Sequence, residues 1–488
     1  MNTKKPNVIL VTADQLRADA LGCYGNPIVR TPNIDALAME GTLFDNHIIQ
    51  HPVCMPSRAS IITGKYPRNH GTTDNGIPLR QREITIPQVL KENGYLTAAV
   101  GKMHFSNMLG LKGSEDESWP PGNYGFTIKH LTCDRKIGEY LEDLKIKNPE
   151  AYRIVKEQGE KKLMEDTASA SAKVQSKLPQ VFESELDYKD HQSTWITDKT
   201  IEVIEKSENN PFFIWCSFVD PHHPFDPPKP YNTLYQPENM PLPLKRPGEL
   251  DDKPVHFRKH LKGKGYGNEK YDFDKIDDLG WQTITAKYYG MVSLIDYNVG
   301  RIIDKLKQLN ILEDTIIIFS ADHGELLGDH GLLFKGPFHY DCLIKAPLII
   351  RLGDQIPHGA RCNEITQHVD LMPSILEFTG SPTPPCVQGR SLGPLLRGDR
   401  GAGYEYALVE HNCYDWGLKI KTIRGKRWKL TYYAGEEFGE LYDLNADPEE
   451  FFNLWDNPEY REIRMELSKK LLDRLIDTEG TDVRIKKF

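Results

Sequence analysis

Four short, almost unbroken apolar runs, each breaking off into a polar cluster, constrain this chain more than any other feature. Asn7 to Thr12 runs into Ala13-Asp14-Gln15-Leu16-Arg17, and Leu96 to Val100 into Gly101-Lys102-Met103-His104. Pro211 to Phe218 leads to Val219-Asp220-Pro221-His222-His223-Pro224, and Thr315 to Ser320 to Ala321-Asp322-His323-Gly324. Strands without polar alternation are buried on both faces, which requires a parallel or mixed sheet covered by helices. Functional groups then collect at the C-terminal strand ends. The intervening stretches fit such an α/β plan. Ile86 to Asn93 reads as a helix, and Thr285 to Leu309 carries Tyr289, Val292, Ile295, Val299, Ile302 and Ile303 at helical spacing. Those positions are core rather than a cofactor box.

A chain of 488 residues exceeds what one hydrophobic core supports, so two domains are expected, at 1–380 and 381–488. Ser381-Pro382-Thr383-Pro384-Pro385 reads as the linker. Beyond it, Ala407 to Glu410, Thr422-Ile423, Trp428 to Tyr433 and Glu440-Leu441-Tyr442 predict a small antiparallel sheet, and Tyr460 to Asp477 a closing amphipathic helix. Two tracts read as insertions: residues 136–190, charged and helix-prone, and residues 226–280, rich in Pro, Lys and Asp. An aperiodic tract of that length is a substrate-site lid or a poorly ordered excursion. The Gly263-Lys264-Gly265-Tyr266-Gly267 string within it follows no strand, so it is no nucleotide loop.

A formal net charge of -9 leaves no basic footprint for nucleic acid. It does not exclude an anionic substrate, because local clusters of Lys, Arg and metal override the average field. No apolar run is long enough to cross a bilayer, and Met-Asn-Thr-Lys-Lys-Pro leads straight into a strand rather than a signal sequence. The chain as written therefore reads as cytoplasmic, or periplasmic or secreted had a leader been removed. Eight cysteines are scattered without CxxC pairs, as expected of reduced residues in a chain too large to need staples.

Cys54 heads the run Cys54-Met55-Pro56-Ser57-Arg58-Ala59-Ser60, followed by Ile61-Ile62-Thr63-Gly64-Lys65-Tyr66-Pro67. Pro56 presets the backbone of a helix start, and a group at Cys54 would sit where backbone donors and the helix dipole favour an anion. A lone cysteine is usually buried and inert. This string, however, resembles the signature of the type I sulfatases, in which the cysteine is oxidised to formylglycine. The strand-end clusters match the same family in chain order over nearly the whole length. The resemblance implies an alkaline phosphatase-like fold: a large mixed sheet flanked by helices, with a smaller C-terminal α+β subdomain that carries an antiparallel sheet and completes the substrate pocket.

The resemblance also implies roles. Asp14, Asp322 and His323, with the oxidised Cys54, look like the ligands of one divalent metal ion, and buried carboxylates at two strand ends do call for a cation. Gln15 and His323 depart from the commonest family pattern of a second Asp and an Asn. Ca²⁺ is what the family implies first, and the nitrogen donor also admits Mg²⁺ or Mn²⁺. Lys102, His104, His222 and Lys335 resemble the residues that bind sulfate oxygens and move protons, and Arg58 the one that holds the formylglycine and the metal site. His223 faces the substrate or caps its turn. Asn75 has two readings, a sulfate contact and an Asx turn.

In the implied mechanism the aldehyde is hydrated, and one hydroxyl attacks sulfur while His222, with Lys335, protonates the leaving alcohol. His104 then deprotonates the second hydroxyl to expel sulfate, a step unavailable to serine. The substrate would be a sulfated small molecule or carbohydrate, and a formylglycine-generating maturase would be a partner. Two alternatives stand beside this reading: a phosphonate monoester or phosphodiester hydrolase of the same superfamily, and a non-catalytic protein that binds an anionic sugar. Pocket walls are expected from Phe338-His339-Tyr340, His223, the 226–280 insertion and the Asn412 to Trp416 turn.

Overall fold

The computed structural model describes residues 5–106, 119, 122–167, 178–208, 210–263 and 271–480. The strands in chain order are β1 (Asn7–Ala13), β2 (Thr42–Ile48), β3 (Leu96–Gly101), β4 (Ile128–Leu131), β5 (Phe212–Phe218), β6 (Thr315–Ala321), β7 (Lys345–Ala346), β8 (Leu348–Arg351) and β9 (Ala360–Gln367). These nine form one sheet, in the order β4-β3-β5-β1-β6-β8-β2-β7, with β9 beside β2. The half that carries the four apolar runs is parallel, β3 with β5, β5 with β1 and β1 with β6. Beyond β6 the pairing turns antiparallel at β8. The sheet is therefore mixed, as expected.

Alternate residues of the central strands feed two cores. Ile9, Val11, Ile214, Ile317 and Phe319 point to one face, covered by the helices Gln192–Lys206 and Asp278–Gln308. Val8, Leu10, Phe213, Trp215, Ile316 and Ile318 point to the other, covered by the helices Cys54–Thr63, Ile86–Glu92 and Leu371–Phe378. Burying each such side chain contributes about 1.5–3 kcal/mol, which explains why neither face of these strands carries polar alternation.

The second sheet comprises β10 (Tyr406–Cys413), β11 (Leu418–Gly425), β12 (Trp428–Tyr433) and β13 (Gly439–Asp443), all antiparallel. Leu408, Ile423, Leu430 and Leu441 pack on Leu467 and Leu471 of the helix Arg461–Asp477, with Tyr66 and Val369 in the same cluster. Glu410 N donates to Gln50 O at 2.8 Å, which fastens β10 to the segment just before Cys54. Residues past 381 do not leave the first sheet at once, since Leu392 and Leu396 pack into the core on the face that the helix Cys54–Thr63 covers.

The long helix starts at Asp278 rather than Thr285, because the Asp277 side chain caps it by accepting from Gly280 N at 2.8 Å. The 136–190 tract contains the helices Glu139–Lys147 and Pro149–Thr167, which share a small core of Tyr140, Leu144, Ala151 and Val155. The 226–280 tract holds short 3₁₀ turns and the helix Val255–Leu261, while residues 264–267 of the glycine string lie outside the described residues. All eight cysteines are free thiols.

Candidate active site

Because β1 and β6 are parallel neighbours with Ala13 opposite Ala321, Asp14 and Asp322 leave adjacent strand ends side by side. On the other flank of β1, Asp14 N donates to Phe218 O at 3.2 Å and Lys102 N to Ser217 O at 3.0 Å, which aligns the ends of β5 and β3 with the same point. The crossing into Lys102 needs glycine: Gly101 has φ +96°, and a Cβ there would lie 1.9 Å from Ser217 O. At the end of β6 a Cβ on Gly324 would lie 1.8 Å from Cys342 O.

The helix Cys54–Thr63 aims its N-terminus into this convergence, two residues earlier than Pro56 alone suggests. Asn75 Oδ1 accepts from Met55 N at 3.1 Å, so Asn75 caps the first turn, and its own N–H donates to Asp74 at 2.8 Å. Cys54 Sγ then lies 2.9 Å from Lys335 Nζ, 3.2 Å from His323 Nε2 and 3.6 Å from Asp14 Oδ1.

Arg58, one turn further along the helix, organises the carboxylates. Its Nε donates to Asp322 at 2.7 Å, Nη2 to Asp14 at 3.2 Å, and Nη1 to Lys102 O at 2.5 Å and Ser217 Oγ at 2.8 Å. Asp14 also meets Lys102 Nζ at 2.6 Å. Asp322 accepts from the backbone N–H groups of Gln15 and His323 at 3.0 and 2.9 Å. Asp14, Arg58, Asp322 and His323 are wholly inaccessible to solvent, a burial that costs several kcal/mol per ion unless geometry and hydrogen bonds compensate it.

These pairings set the protonation states. Burial pushes the Asp14 carboxyl up, but Lys102 and Arg58 outweigh it and hold the group well below the usual carboxylate range. Burial likewise opposes ionisation of Asp322, and Arg58 brings it below its ordinary value. Burial disfavours the His323 cation, yet Asp322 pulls its pKa upward. For Cys54, burial and Asp14 raise the pKa, and Lys335, Lys102 and His323 more than offset them, lowering it to about 5. Burial instead raises Cys216 and Cys413 to about 12 and Cys133 to about 11.

With Cys54 present as encoded, the ultraviolet thiolate absorbance should therefore rise through about pH 5, and Cys54→Ala should remove that step. Since the folded pKa lies below that of a free thiol, the unfolded chain binds the extra proton across the interval. The thiolate's contribution to stability should accordingly grow from about pH 5 to about pH 9. A thiolate step near pH 9 would contradict this electrostatic account.

Asp14, Cys54, Asp322 and His323 each bring one donor atom within 4.8 Å of the others. His323 Nδ1 lies 2.8 Å from Gly324 O and donates to it, which leaves Nε2 turned to the shared space as a ligand would be. Two carboxylates, an imidazole and the atom at Cys54 suit a divalent cation. Arg58 and Lys102 pair with the two carboxylates and Lys335 Nζ with Cys54 Sγ, so these charges balance while Cys54 is a thiolate and leave one positive charge over, suited to an anionic substrate, when the group at 54 is uncharged.

The structure thus brings together Asp14, Cys54, Arg58, Lys102, Asp322, His323 and Lys335. His104 stands two residues past Lys102 with φ +56° and a buried Nδ1 that has no hydrogen-bond partner among the described residues. His222 follows β5, with Nδ1 donating to His223 O at 2.6 Å and its ring 4.1 Å from that of His223. His223 in turn lies 4.3 Å from Phe334, the neighbour of Lys335. Among the expected pocket walls, Phe338 and Tyr340 are buried in aromatic packing, Tyr340 stacked on His330 at 3.7 Å. The Asn412 to Trp416 turn behaves differently: Tyr414 is 60% exposed, its hydroxyl 3.0 Å from Thr73 Oγ1 and its N–H donating to Asp74 at 3.2 Å.

Sequence reasoning missed Ser217 and Glu325. Ser217 is the one hydroxyl of an apolar strand that ends at Phe218, and Glu325 directly follows Asp322-His323-Gly324.

Comparison with known proteins agrees with this arrangement. A family model described as Sulfatase matches residues 6–381, and one for the C-terminal region of N-sulphoglucosamine sulphohydrolase matches residues 328–477. The chain is 29% identical to an arylsulfatase of Clostridium perfringens, over 96% of this chain and 94% of that one. It is 28% identical to an N-acetylglucosamine-6-O-sulfatase of Bacteroides thetaiotaomicron, over 96% and 86%. A solved phosphonate monoester hydrolase of Agrobacterium radiobacter superposes with a TM-score of 0.82 at 26% identity, covering 98% of this chain and 97% of that one. With a family match across most of the chain, and the Cys54 helix set against the ends of β1, β3 and β6, this protein belongs to the sulfatase family of the alkaline phosphatase-like superfamily.

Proposed function

We propose that the protein releases inorganic sulfate from a sulfated carbohydrate, with a formylglycine derived from Cys54 as nucleophile. The observation that carries this reading is the position of Cys54 Sγ, at a helix N-terminus and within 2.9 Å of a lysine, 3.2 Å of an imidazole and 3.6 Å of a carboxylate. The thiol sulfur stands in for the oxygen that oxidation would place there. Formylglycine, once hydrated, would supply one hydroxyl to attack sulfur and a second through which sulfate is expelled. Asp14, Asp322, His323 and the Cys54-derived oxygen would hold a divalent ion, Ca²⁺ by family and Mg²⁺ or Mn²⁺ by the donor set, whose Lewis acidity lowers the pKa of the attacking hydroxyl.

The remaining work falls to the chain's own side chains. Sulfuryl transfer loads negative charge onto the leaving alkoxide, so fixed cations around the group lower the barrier more than they tighten binding. Lys102 and Lys335 provide that charge from buried positions, with no reorganisation during the reaction. His222, held by its Nδ1 bond to His223 O, presents Nε2 as the proton donor to the leaving oxygen, together with Lys335. His104, two residues from Lys102, acts as the base that lets sulfate depart. A carbohydrate substrate is supported by the similarity to an N-acetylglucosamine-6-O-sulfatase and by Tyr414, an exposed ring anchored to Thr73 and Asp74 near the cap of the Cys54 helix. Aromatic faces of this kind stack on the apolar face of a sugar.

A second reading, phosphonate monoester hydrolysis, is favoured by Gln15, by His323 and by the likeness to the Agrobacterium enzyme. Lys102 and His104 argue against it, because such hydrolases typically lack this pair. Side-by-side turnover of an aryl sulfate and an aryl phosphonate by the matured, metal-loaded protein should favour the sulfate by about tenfold or more in kcat/KM, a difference of about 1.4 kcal/mol in transition-state binding. Faster phosphonate turnover would sink the sulfatase reading.

A further inference from the structure

Lys335 stands on a loop rather than at a strand end, and among the described residues no backbone–backbone hydrogen bond involves residues 335–338. Just ahead of it Phe334 holds φ +68°, a conformation that a side chain of its size rarely adopts. The carbonyls on either side of the lysine meet side chains instead. His260 Nε2–H donates to Leu333 O at 3.1 Å, and His256 Nε2–H to Pro337 O at 3.1 Å. The two histidines lie four residues apart on the helix Val255–Leu261 and so share one face of it. They reach the backbone two residues before Lys335 and two residues after it.

A carbonyl only accepts, so each ring carries its proton on Nε2. Burial pushes the pKa of His256 down to about 3 and that of His260 to about 4, which keeps both rings neutral. Neither Nδ1 has a hydrogen-bond partner among the described residues, so the Nε2–H bonds are what orient the rings. Phe338 packs between them, its ring 5.6 Å from that of His256 and 4.9 Å from that of His260.

The helix is itself fixed at its base. Lys253 Nζ is buried and donates to Tyr442 OH at 2.8 Å and Glu450 O at 2.7 Å, which ties the helix to the C-terminal sheet. Leu244 N donates to Asp329 at 2.8 Å and His330 N to Leu244 O at 2.6 Å, so the same tract grips the turn ahead of Lys335 as well. On its far side the His256 ring meets Trp416 edge-on at 5.4 Å, in the turn that presents Tyr414.

We infer that His256 and His260 are positioning residues for catalysis, their paired Nε2–H bonds fixing the loop from which Lys335 reaches the nucleophile and the leaving oxygen. The inference rests on the leaving-group role proposed above for Lys335. A lysine is a point charge on a flexible stem, so its placement is only as good as that of the backbone beneath it. The part of the 226–280 tract that carries the two histidines is thereby a fixed brace behind the site.

The test compares the parent with His256→Leu, His260→Leu, His256→Gln and His260→Gln, on nitrophenyl sulfate and on an alkyl sulfate. Leucine fills the space without a donor, whereas the glutamine amide can place an N–H close to where Nε2 stood. Each leucine variant should lose about tenfold or more in kcat on the alkyl ester, whose alkoxide needs help to depart, less on the aryl ester, and little in KM. Each glutamine variant should recover to within about threefold of the parent. Should a leucine variant not fold, asparagine takes its place, a polar side chain too short to reach the carbonyl. Hydrogen exchange supplies a readout independent of turnover: the amides of Phe334, Lys335, Gly336 and Phe338 should exchange about tenfold faster in the donor-less variants, while those of β1 and β6 keep the parent's rates. A lower urea midpoint with unchanged kcat would mean that the histidines only stabilise the fold, and would overturn the inference, as would glutamine variants no better than leucine ones. If the parent proved inactive on sulfate esters, the proposed function would fail. The brace would then stand or fall on exchange alone, and unchanged rates at those four amides would refute it.

Discussion

Replacing Cys54 by alanine is expected to reduce sulfate release by roughly 10⁴-fold or more, the scale seen when a nucleophile that acts as part of a unit is removed. Few substitutions at a buried site make so clean a test. Cys54 is 1% exposed, and its neighbours Asp14, Arg58, Lys102 and Asp322 hold one another through contacts that do not involve the sulfur. Removing the sulfur leaves that network intact, so the folded protein should survive while turnover disappears. Cys54→Ser separates two explanations further. Serine keeps an oxygen at the helix N-terminus and offers one hydroxyl, so it should retain substrate binding but stall after one turnover, readable as a burst of alcohol without matching sulfate. Intact mass of the peptide carrying Cys54 completes the experiment, since an unmodified thiol in a fully active preparation would overturn the formylglycine mechanism.

The parts of this site that were legible in the sequence are those fixed by local pattern. An apolar run followed by Asp, or by Gly-Lys-x-His, reports a strand end whichever strand lies beside it, so Asp14, Lys102 and Asp322 could be placed at strand ends before the sheet order was known, while their roles came from the family resemblance. The Cys54 string carried its own helix signal in Pro56. Ser217 and Glu325 were missed for the opposite reason. Ser217 looks like one more residue of a buried strand, and matters only because β5 lies between β1 and β3 and offers its hydroxyl to Arg58. Glu325 reads as an ordinary charged residue after a turn, and its buried contact is with Gln15, 310 residues away in the chain. Phe338 and Tyr340 were expected at a pocket wall because aromatic content was all the sequence offered. Packing against Phe257 and His330 accounts for them instead. The helix start at Asp278 was hidden by the polar residues ahead of Trp281, where capping rather than apolar spacing sets the boundary.

Arg58 is where stability and chemistry meet, and Arg58→Ala should be the most destabilising single change in the site. Asp14 would keep Lys102 at 2.6 Å, but Asp322 would lose the guanidinium that is its sole Lys or Arg partner among the described residues. Leaving one member of a buried pair uncompensated costs about 3–5 kcal/mol, measurable by urea unfolding in the presence of a chelator. The deficit should shrink when a divalent metal is added, because a cation bound by Asp14, Asp322 and His323 replaces part of the lost charge. Equal destabilisation with and without metal would speak against that ligand set.

The acid limb should move as well. Asp322 is held below its ordinary pKa chiefly by Arg58 acting against burial, so the stability this carboxylate contributes is complete above its unfolded value and is lost as pH falls through the depressed folded one. Without Arg58, burial prevails, the folded pKa rises, and acid unfolding should begin at higher pH than in the parent. Arg58→Lys distinguishes charge from geometry. One ammonium keeps the charge but cannot reproduce a fork that reaches Asp322, Asp14, the Lys102 carbonyl and Ser217 together. It should therefore recover much of the stability lost in Arg58→Ala while kcat remains down by about 10²-fold, the penalty for catalytic groups displaced by an ångström or so. Full recovery of kcat by lysine would mean that the site needs a positive charge behind its carboxylates and nothing of the guanidinium's shape.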